Sequence, residues 1–254
     1  MTTPESAAQR NFGRRAAFYT TSATHTDPEV LARLVTLAAP QPNWSVLDIG
    51  TGAGHTAFVL APHVASVLAL DLTPEMLGEA DKLRQKRALL NVGFCIADAH
   101  NLPFADESFD LVTCRRAAHH FSDIVGALSE VRSVLRPGGR VVVDDRSIPE
   151  DDFVDVCMNE LDRYHDESHV RQYRPSEWAR LLEDQGLSLE ASEPYIQHRA
   201  LSTLTEGATE ENIRRLHDRV RALTQAQRGA LNLVERDGEL YSNHWYLLIS
   251  ATKL

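Results

Sequence analysis

Three glycines at alternate positions, Gly50, Gly52 and Gly54, follow an acid, Asp48, and separate an apolar run from a short helical pattern. Glycine allows the sharp turns such a loop needs and lets a ligand approach with no Cβ in its way. Two further carboxylates, Asp71 and Asp98, stand at or just past the ends of apolar runs, where an acceptor-only group can take two hydroxyl or amine donors. Paired imidazoles follow at His119 and His120, flanked by Arg115 and Arg116. Imidazole titrates near neutrality, so either ring suits a general base. Adjacent side chains diverge, so one of the two faces a given ligand, and His119 is the first choice. The loop has two ligand readings. Gly52, Gly54 and Ala57 satisfy the GxGxxA dinucleotide fingerprint, which implies an NAD-dependent oxidoreductase. Counted from Asp48, the same residues spell D-x-G-x-G-x-G.

The surrounding pattern alternates helix and strand from about residue 27 to 145. Asp27-Pro28 opens a helix with a capping carboxylate and a proline in the first turn. Short strands are expected at 45–49, 66–70, 92–96, 109–114 and 140–145. Helices between them begin at His55, Thr73-Pro74 and Ser122, the last running through Leu135 until Pro137-Gly138-Gly139 stops it. Strands at this spacing imply βαβ crossovers, hence a doubly wound α/β fold whose mostly parallel sheet carries helices on both faces. Ligands in such sheets bind outside the carboxyl ends of the strands, where every residue singled out above falls. Further on, 151–169, 176–186 and 209–223 read as helices, 188–197 and 245–251 as strands, and Asp237-Gly238 as a hairpin turn.

Composition narrows the function classes. The 254 residues carry a formal net charge of −10, which argues against a nucleic-acid partner, because phosphate contacts need clustered Lys and Arg. No apolar run approaches the ~20 residues that span a bilayer. Cys95, Cys114 and Cys157 are far apart, so neither a disulfide framework nor a structural zinc site is expected, and a reducing cytoplasm fits best. His165 and His169 sit at i, i+4, but Asp166 occupies the glutamate place of HExxH, and no metal site is expected there.

The acid-first loop resembles motif I of the class I S-adenosylmethionine (SAM)-dependent methyltransferases. The resemblance continues through Leu70-Asp71, Ala97-Asp98-Ala99 with Leu102-Pro103-Phe104, the 108–112 segment, Ala118-His119-His120-Phe121 and the 135–139 segment. Their order is similar to the quinone-biosynthesis C-methyltransferase-like branch, as are the segments around Asn11-Phe12 and Phe18-Tyr19. The resemblance implies a seven-stranded sheet whose last strand is antiparallel, with a C-terminal helical insertion. It implies one methyltransferase domain over 1–254: an N-terminal lid segment (1–26), a SAM-binding core (27–146), and acceptor-side helices with a terminal hairpin (147–254). The C-terminal part does not look like the quinone enzymes proper, and no cysteine cluster suits arsenic methylation.

Roles follow from the chemistry of the cofactor. Asp71 is expected on the ribose hydroxyls, and Asp98 with the Ala99 amide on adenine, with Leu72 and Met76 covering the ring. Gly50, Thr51, Gly52 and Gly54 lie against ribose and methionine, with Asp48 toward the amino-acid end. Arg115 is assigned to the cofactor and Arg116 to an anionic acceptor. Phe12 and Tyr19 form the lid, while Tyr173 and His244 are expected in the acceptor pocket. The acceptor is expected to be a small apolar or aromatic molecule. Methyl transfer from a sulfonium has a neutral thioether leaving group, so it needs no metal, and in-line positioning alone can supply ~7–11 kcal/mol. A SAM-binding protein without turnover is the third reading, and the oligomeric state is left open.

Overall fold

The computed structural model describes residues 3–254. Helix α1 (Pro4–Tyr19) precedes α2 (Pro28–Ala38), and strand β1 (Ser45–Ile49) leads through the glycine loop into α3 (His55–Leu60). Strand β2 (Ser66–Asp71), α4 (Pro74–Lys86), β3 (Val92–Ile96), β4 (Phe109–Arg115), α5 (Ile124–Val134) and β5 (Leu135–Ser147) complete the alternating part. Beyond it come α6 (Asp152–His165), α7 (Pro175–Asp184), β6 (Leu187–Ala200), α8 (Glu210–Arg221), α9 (Gln225–Ala230), β7 (Val234–Arg236) and β8 (Glu239–Lys253).

The sheet runs β3-β2-β1-β4-β5-β8-β6, with β7 paired to β8 off this path. Strands β1 to β5 pair in parallel, and β8 pairs antiparallel with β5, β6 and β7. The expected doubly wound α/β architecture is present, with one correction: eight strands instead of seven. The extra one, β7, is a three-residue exposed strand on the far side of the Asp237-Gly238 turn, too short and too polar to show an alternating pattern. Among the described residues no helix is long and apolar enough to cross a membrane.

Two apolar layers cover the sheet. Ile124, Leu128 and Val131 of α5 and Trp178 and Leu182 of α7 pack on one face, against Leu47, Val112 and Val141. Leu34 of α2, Ala57 and Phe58 of α3 and Ala80 of α4 pack on the other, against Val46, Val67 and Leu111. Each fully buried Leu, Ile or Val contributes ~1.5–3 kcal/mol by leaving water, so the sheet is a stiff platform for the loops at its carboxyl end. A third cluster, with Met158 and Leu161 of α6 and Leu216 and Val220 of α8, fastens the C-terminal helices together.

Three local details differ from the sequence pattern. Asp123, not Ser122, caps α5, its carboxylate accepting from the Gly126 amide. Ser122 instead donates to Glu5 of α1. Thr73 gives α4 no side-chain cap, and its amide donates to Asp71.

Candidate active site

Two joined cavities open at the carboxyl end of the sheet. The first is walled by the loop after β1, the end of β2 and the turns after β3 and β4, and is roofed by α1. Gly50, Thr51, Gly52, Asp71, Leu72, Met76, Asp98, Ala99, Arg115 and Arg116 all line it, with Phe12, Tyr19 and His120 at its mouth. Of the residues expected to bind the cofactor, Asp48 and Gly54 are absent from this wall; Gly54 faces the Phe58 ring instead, where a Cβ would clash with Cζ.

The loop conformation depends on its glycines. Gly50, Gly52 and Gly54 have φ of 62°, 55° and 86°. A Cβ on Gly50 would stand 2.5 Å from the Ala117 Cβ, whereas one on Gly52 would meet only the Met76 Cε, at 3.8 Å. Gly50→Ala is expected to cost about 2–4 kcal/mol, from left-handed backbone strain plus overpacking. Gly52→Ala should cost only the backbone part, about 1–2 kcal/mol. Thermal unfolding of the two variants checks the order; equal losses would mean that the Ala117 contact is unimportant.

Asp48 corrects the expectation placed on it. It is absent from the cavity wall and 1% exposed, and it lies beneath the loop. The β1–β4 register sets it opposite Thr113, whose hydroxyl donates to Oδ1 at 2.7 Å, while the Thr51 hydroxyl donates to Oδ2 at 2.6 Å. Burial pushes its carboxyl up to about 6 against the pull of these two bonds. Asp48 thus braces the loop from below. Asp71, also pushed up by burial, accepts from the Gly52 amide at 2.8 Å and the Thr73 amide at 2.9 Å. An ionised carboxylate has about four acceptor positions, so roughly two remain for a ligand. Asp98 Oδ1 takes the His100 amide and ring, leaving Oδ2 without a partner among the described residues.

Arg115 is buried beside the loop. Its Nε donates to the Thr56 hydroxyl at 2.9 Å and its Nη2 to the His25 carbonyl at 2.6 Å, while Nη1 is buried with no hydrogen-bond partner among the described residues. A buried guanidinium nitrogen left unpaired is costly, and here it belongs to a side chain in the cavity wall. Arg116 sits in the left-handed region at φ 57°, a conformation that concentrates at functional sites in non-glycine residues. Its guanidinium lies 3.7 Å over the Tyr246 ring and donates to Asp144 and to the Tyr195 hydroxyl.

The second cavity, about 460 Å³, shares Phe12, Tyr19, His25, Arg116 and His120 with the first. It continues past His119 to Arg146, Asp162, His165, Asp166, His169, Arg199 and Tyr246. This wall is far more polar than the apolar acceptor pocket expected. His119 Nδ1 lies 2.6 Å from Asp145 Oδ1, and the His119 amide donates to Asp145 Oδ2 at 2.8 Å. Burial, reinforced by His120 and Arg146, pushes the His119 imidazolium well below its ordinary range, and burial raises the Asp145 carboxyl to about 6. The ring is therefore neutral, with its proton on Nδ1 toward Asp145. Nε2 has no partner among the described residues and is the basic atom. His120 accepts or donates at Ser168 and packs on Phe12 at 5.1 Å, at the junction of the cavities.

Two acceptor-side expectations are corrected. Tyr173 lines neither cavity; its ring packs on Trp178, 5.7 Å away. His244 is fully buried in β8 and is not in either wall. The His165 and His169 rings face different partners, the Leu204 carbonyl and Asn159. No group of three metal-ligating side chains occurs among the described residues. Asp145, Arg146, Arg199 and Tyr246 were missed as site residues. They come from three strands remote in sequence, and the only local signal was the end of β5.

Helix α1 is fastened at both cavities. Gln9 donates to the Leu72 carbonyl at 2.9 Å, Asn11 to Asp166 at 2.7 Å and Arg15 to the Glu206 carbonyl at 3.1 Å.

The profile of the methyltransferase domain family matches residues 40–186. The chain belongs to the class I SAM-dependent methyltransferases. The uncharacterized methyltransferase YcgJ of Bacillus subtilis (strain 168) is 41% identical over 167 residues, 66% of this chain and 66% of YcgJ. The demethylmenaquinone methyltransferase of Thermus thermophilus is 41% identical over 113 residues, 44% of this chain and 51% of that enzyme. The chain thus spans about half to two thirds of the length of these curated relatives. The crystal structure of a Bacillus halodurans protein superposes with a TM-score of 0.84 at 34% identity, covering 88% of this chain and 98% of that chain. That of B. subtilis YcgJ gives 0.83 at 31%, covering 88% and 97%. Family membership displaces the dinucleotide reading of Gly52, Gly54 and Ala57. Ala57 is buried under the sheet in α3 and packs in the core.

Proposed function

We propose that this chain transfers a methyl group from SAM to a small-molecule acceptor, with the cofactor in the first cavity and the acceptor in the second. The observation that carries the reading is the unpaired Arg115 Nη1 in the wall of the cavity floored by the glycine loop. A carboxylate is the complement of that nitrogen, and the methionine part of SAM supplies one. The nucleoside end fits Asp71, with its two remaining acceptor positions, and Asp98 Oδ2. Leu72 and Met76 supply apolar cover. One domain is proposed: α1 as a lid, residues 27–146 as the cofactor core, and residues 147–254 as the acceptor side. Free Cys95, Cys114 and Cys157 agree with a reducing cytoplasm.

When bound, SAM supplies a methyl on a sulfonium: its S–C bond breaks as the bond to the acceptor nucleophile forms, and S-adenosylhomocysteine leaves as a neutral thioether. The residues of the chain do the rest. Phe12 and Tyr19, packed edge to face at 5.6 Å, cover the junction of the cavities and exclude water. His119 Nε2 accepts the proton of an acceptor that must lose one, and Asp145 holds the ring in the tautomer that makes this possible. The His119–Asp145 pair supports turnover over binding alone.

Calorimetric titration with SAM and with NADH tests the proposal. SAM is expected to bind and NADH not, and Arg115→Met should weaken SAM by about tenfold or more, because a hydrogen bond to a charged group contributes ~1.5–3 kcal/mol. Tight NADH binding with no SAM binding would overturn it.

A further inference from the structure

We propose that the acceptor is a small organic anion, carboxylate or phosphate, seated on Arg199, Arg146 and the Tyr246 hydroxyl in the second cavity. The inference rests on the methyltransferase reading for the reaction, while the seat itself rests on how the charges of that cavity are matched.

Four arginines line the cavity. Arg116 is matched by Asp144, and Arg146 donates through Nη2 to both oxygens of Asp162, at 2.9 and 2.7 Å. Arg15 leans on the Phe18 and Tyr19 rings at the mouth. Arg199 donates only to the Tyr246 hydroxyl, at 3.3 Å, and no carboxylate lies within ion-pair distance of it among the described residues. The remaining acids are occupied or peripheral. Asp166 accepts from Asn11 and Ser168; burial would raise its carboxyl, but His120 and these bonds hold it low. Glu206 is exposed at the rim.

Two further observations mark the same spot. Tyr246 is 1% exposed, and burial opposes its ionisation, yet Arg116, Arg146 and Arg199 together draw its phenol below the ordinary value. The field at the seat is therefore positive enough to outweigh desolvation. Side chains two apart on a strand share a face, so Ser242, His244 and Tyr246 of β8 point the same way. On that row the Ser242 hydroxyl and both His244 ring nitrogens are buried without partners among the described residues, as is Arg146 Nε. Burial together with Arg146 and Arg199 holds His244 well below its ordinary range, so its ring is neutral and has one N–H to donate. Ser242 and His244 lie behind the wall, so of these groups only Arg146 belongs to a cavity-lining residue, and an oxyanion there supplies the acceptor that its Nε lacks. Phe12, Phe18 and Tyr19 line the same cavity and suit a flat apolar body on the same molecule.

The test uses the full chain with S-adenosylhomocysteine present and three probes built on one phenyl ring: benzoate, phenyl phosphate and benzamide. Their affinities are read by ligand-observed NMR. At least one anion is expected to bind about tenfold or more tighter than benzamide, and Arg199→Gln should shrink that preference to about threefold or less. Which anion leads decides between carboxylate and phosphate. Equal binding of all three, or a preference that survives both Arg199→Gln and the Arg199→Gln/Tyr246→Phe double variant, overturns the seat. SAM affinity, measured separately by calorimetry, should be the same in wild type and Arg199→Gln. Failure of the wild type to bind SAM would refute the methyltransferase reading without touching the probe result.

Discussion

His119→Asn is expected to slow turnover about 10²- to 10⁴-fold while leaving SAM affinity within about twofold of wild type, as loss of a positioned general base does. The expectation rests on a neutral ring whose Nδ1 proton is committed to Asp145, 2.6 Å away. Its sign in pH follows from burial. Because the imidazolium is disfavoured, the basic form persists below pH 6.5, and the acid limb of kcat/KM should lie below that value. If the Asp145 carboxylate instead held the ring as an imidazolium, the limb would move above 6.5 and the base assignment would fail. Asp145→Asn places an amide that can donate where a carboxylate accepted, favouring the wrong tautomer. It should lower kcat by a comparable factor with KM for SAM unchanged. A variant at His119 that turns over at the wild-type rate would leave positioning alone as the source of catalysis.

Asp71→Ala carries the second large effect, on affinity instead of rate. Removing a carboxylate that accepts ligand hydroxyls forfeits ~1.5–3 kcal/mol, a ten- to hundred-fold loss in SAM binding by calorimetry. The same substitution frees the Gly52 and Thr73 amides, so part of the loss comes through the loop. Asp71→Asn separates the two contributions: its single acceptor oxygen can retain one backbone bond, so its melting temperature should fall less while affinity still drops. At saturating SAM, kcat should change little in either variant. Unchanged affinity in Asp71→Ala would mean the nucleoside lies elsewhere.

The cofactor half of the site was legible because each of its parts is local. A glycine loop after β1, an acid ending β2 and an acid after β3 all read directly from strand ends in a parallel sheet. His119 was found for the same reason, being just past β4. Its partner Asp145 was harder to see, although it lies in the stretch expected to face ligands. The pairing emerges only from the β4–β5 register, which sets Arg115 beside Asp144 and brings the turn after β4 back onto the next residue. Asp48 shows the reverse error. Its place in the motif suggested a ligand contact, but opposite Thr113 and below Thr51 it has no open side.

The acceptor half was largely illegible, and for a physical reason. Strand β8 runs antiparallel between β5 and β6, so its first residues reach the ligand end of the sheet beside Arg146 and Arg199. No spacing in the chain announces that Tyr246 and Arg146 are neighbours. His244 was a reasonable guess by residue type and sits on the same face as Tyr246, two residues along, yet it lies behind the wall. Helix α1 left little trace because only Ala16 is buried along its length, so it lacks the apolar stripe by which helices are recognised.

The most direct test is a crystal structure of the full chain with S-adenosylhomocysteine. The account predicts the ribose hydroxyls on Asp71, the adenine edge toward Asp98 and Ala99, and the ligand carboxylate within hydrogen-bonding distance of Arg115 Nη1. The thioether sulfur should face the opening toward His119. A ligand bound elsewhere, or one whose carboxylate leaves Arg115 Nη1 unpaired while the sulfur points away from the second cavity, would contradict it.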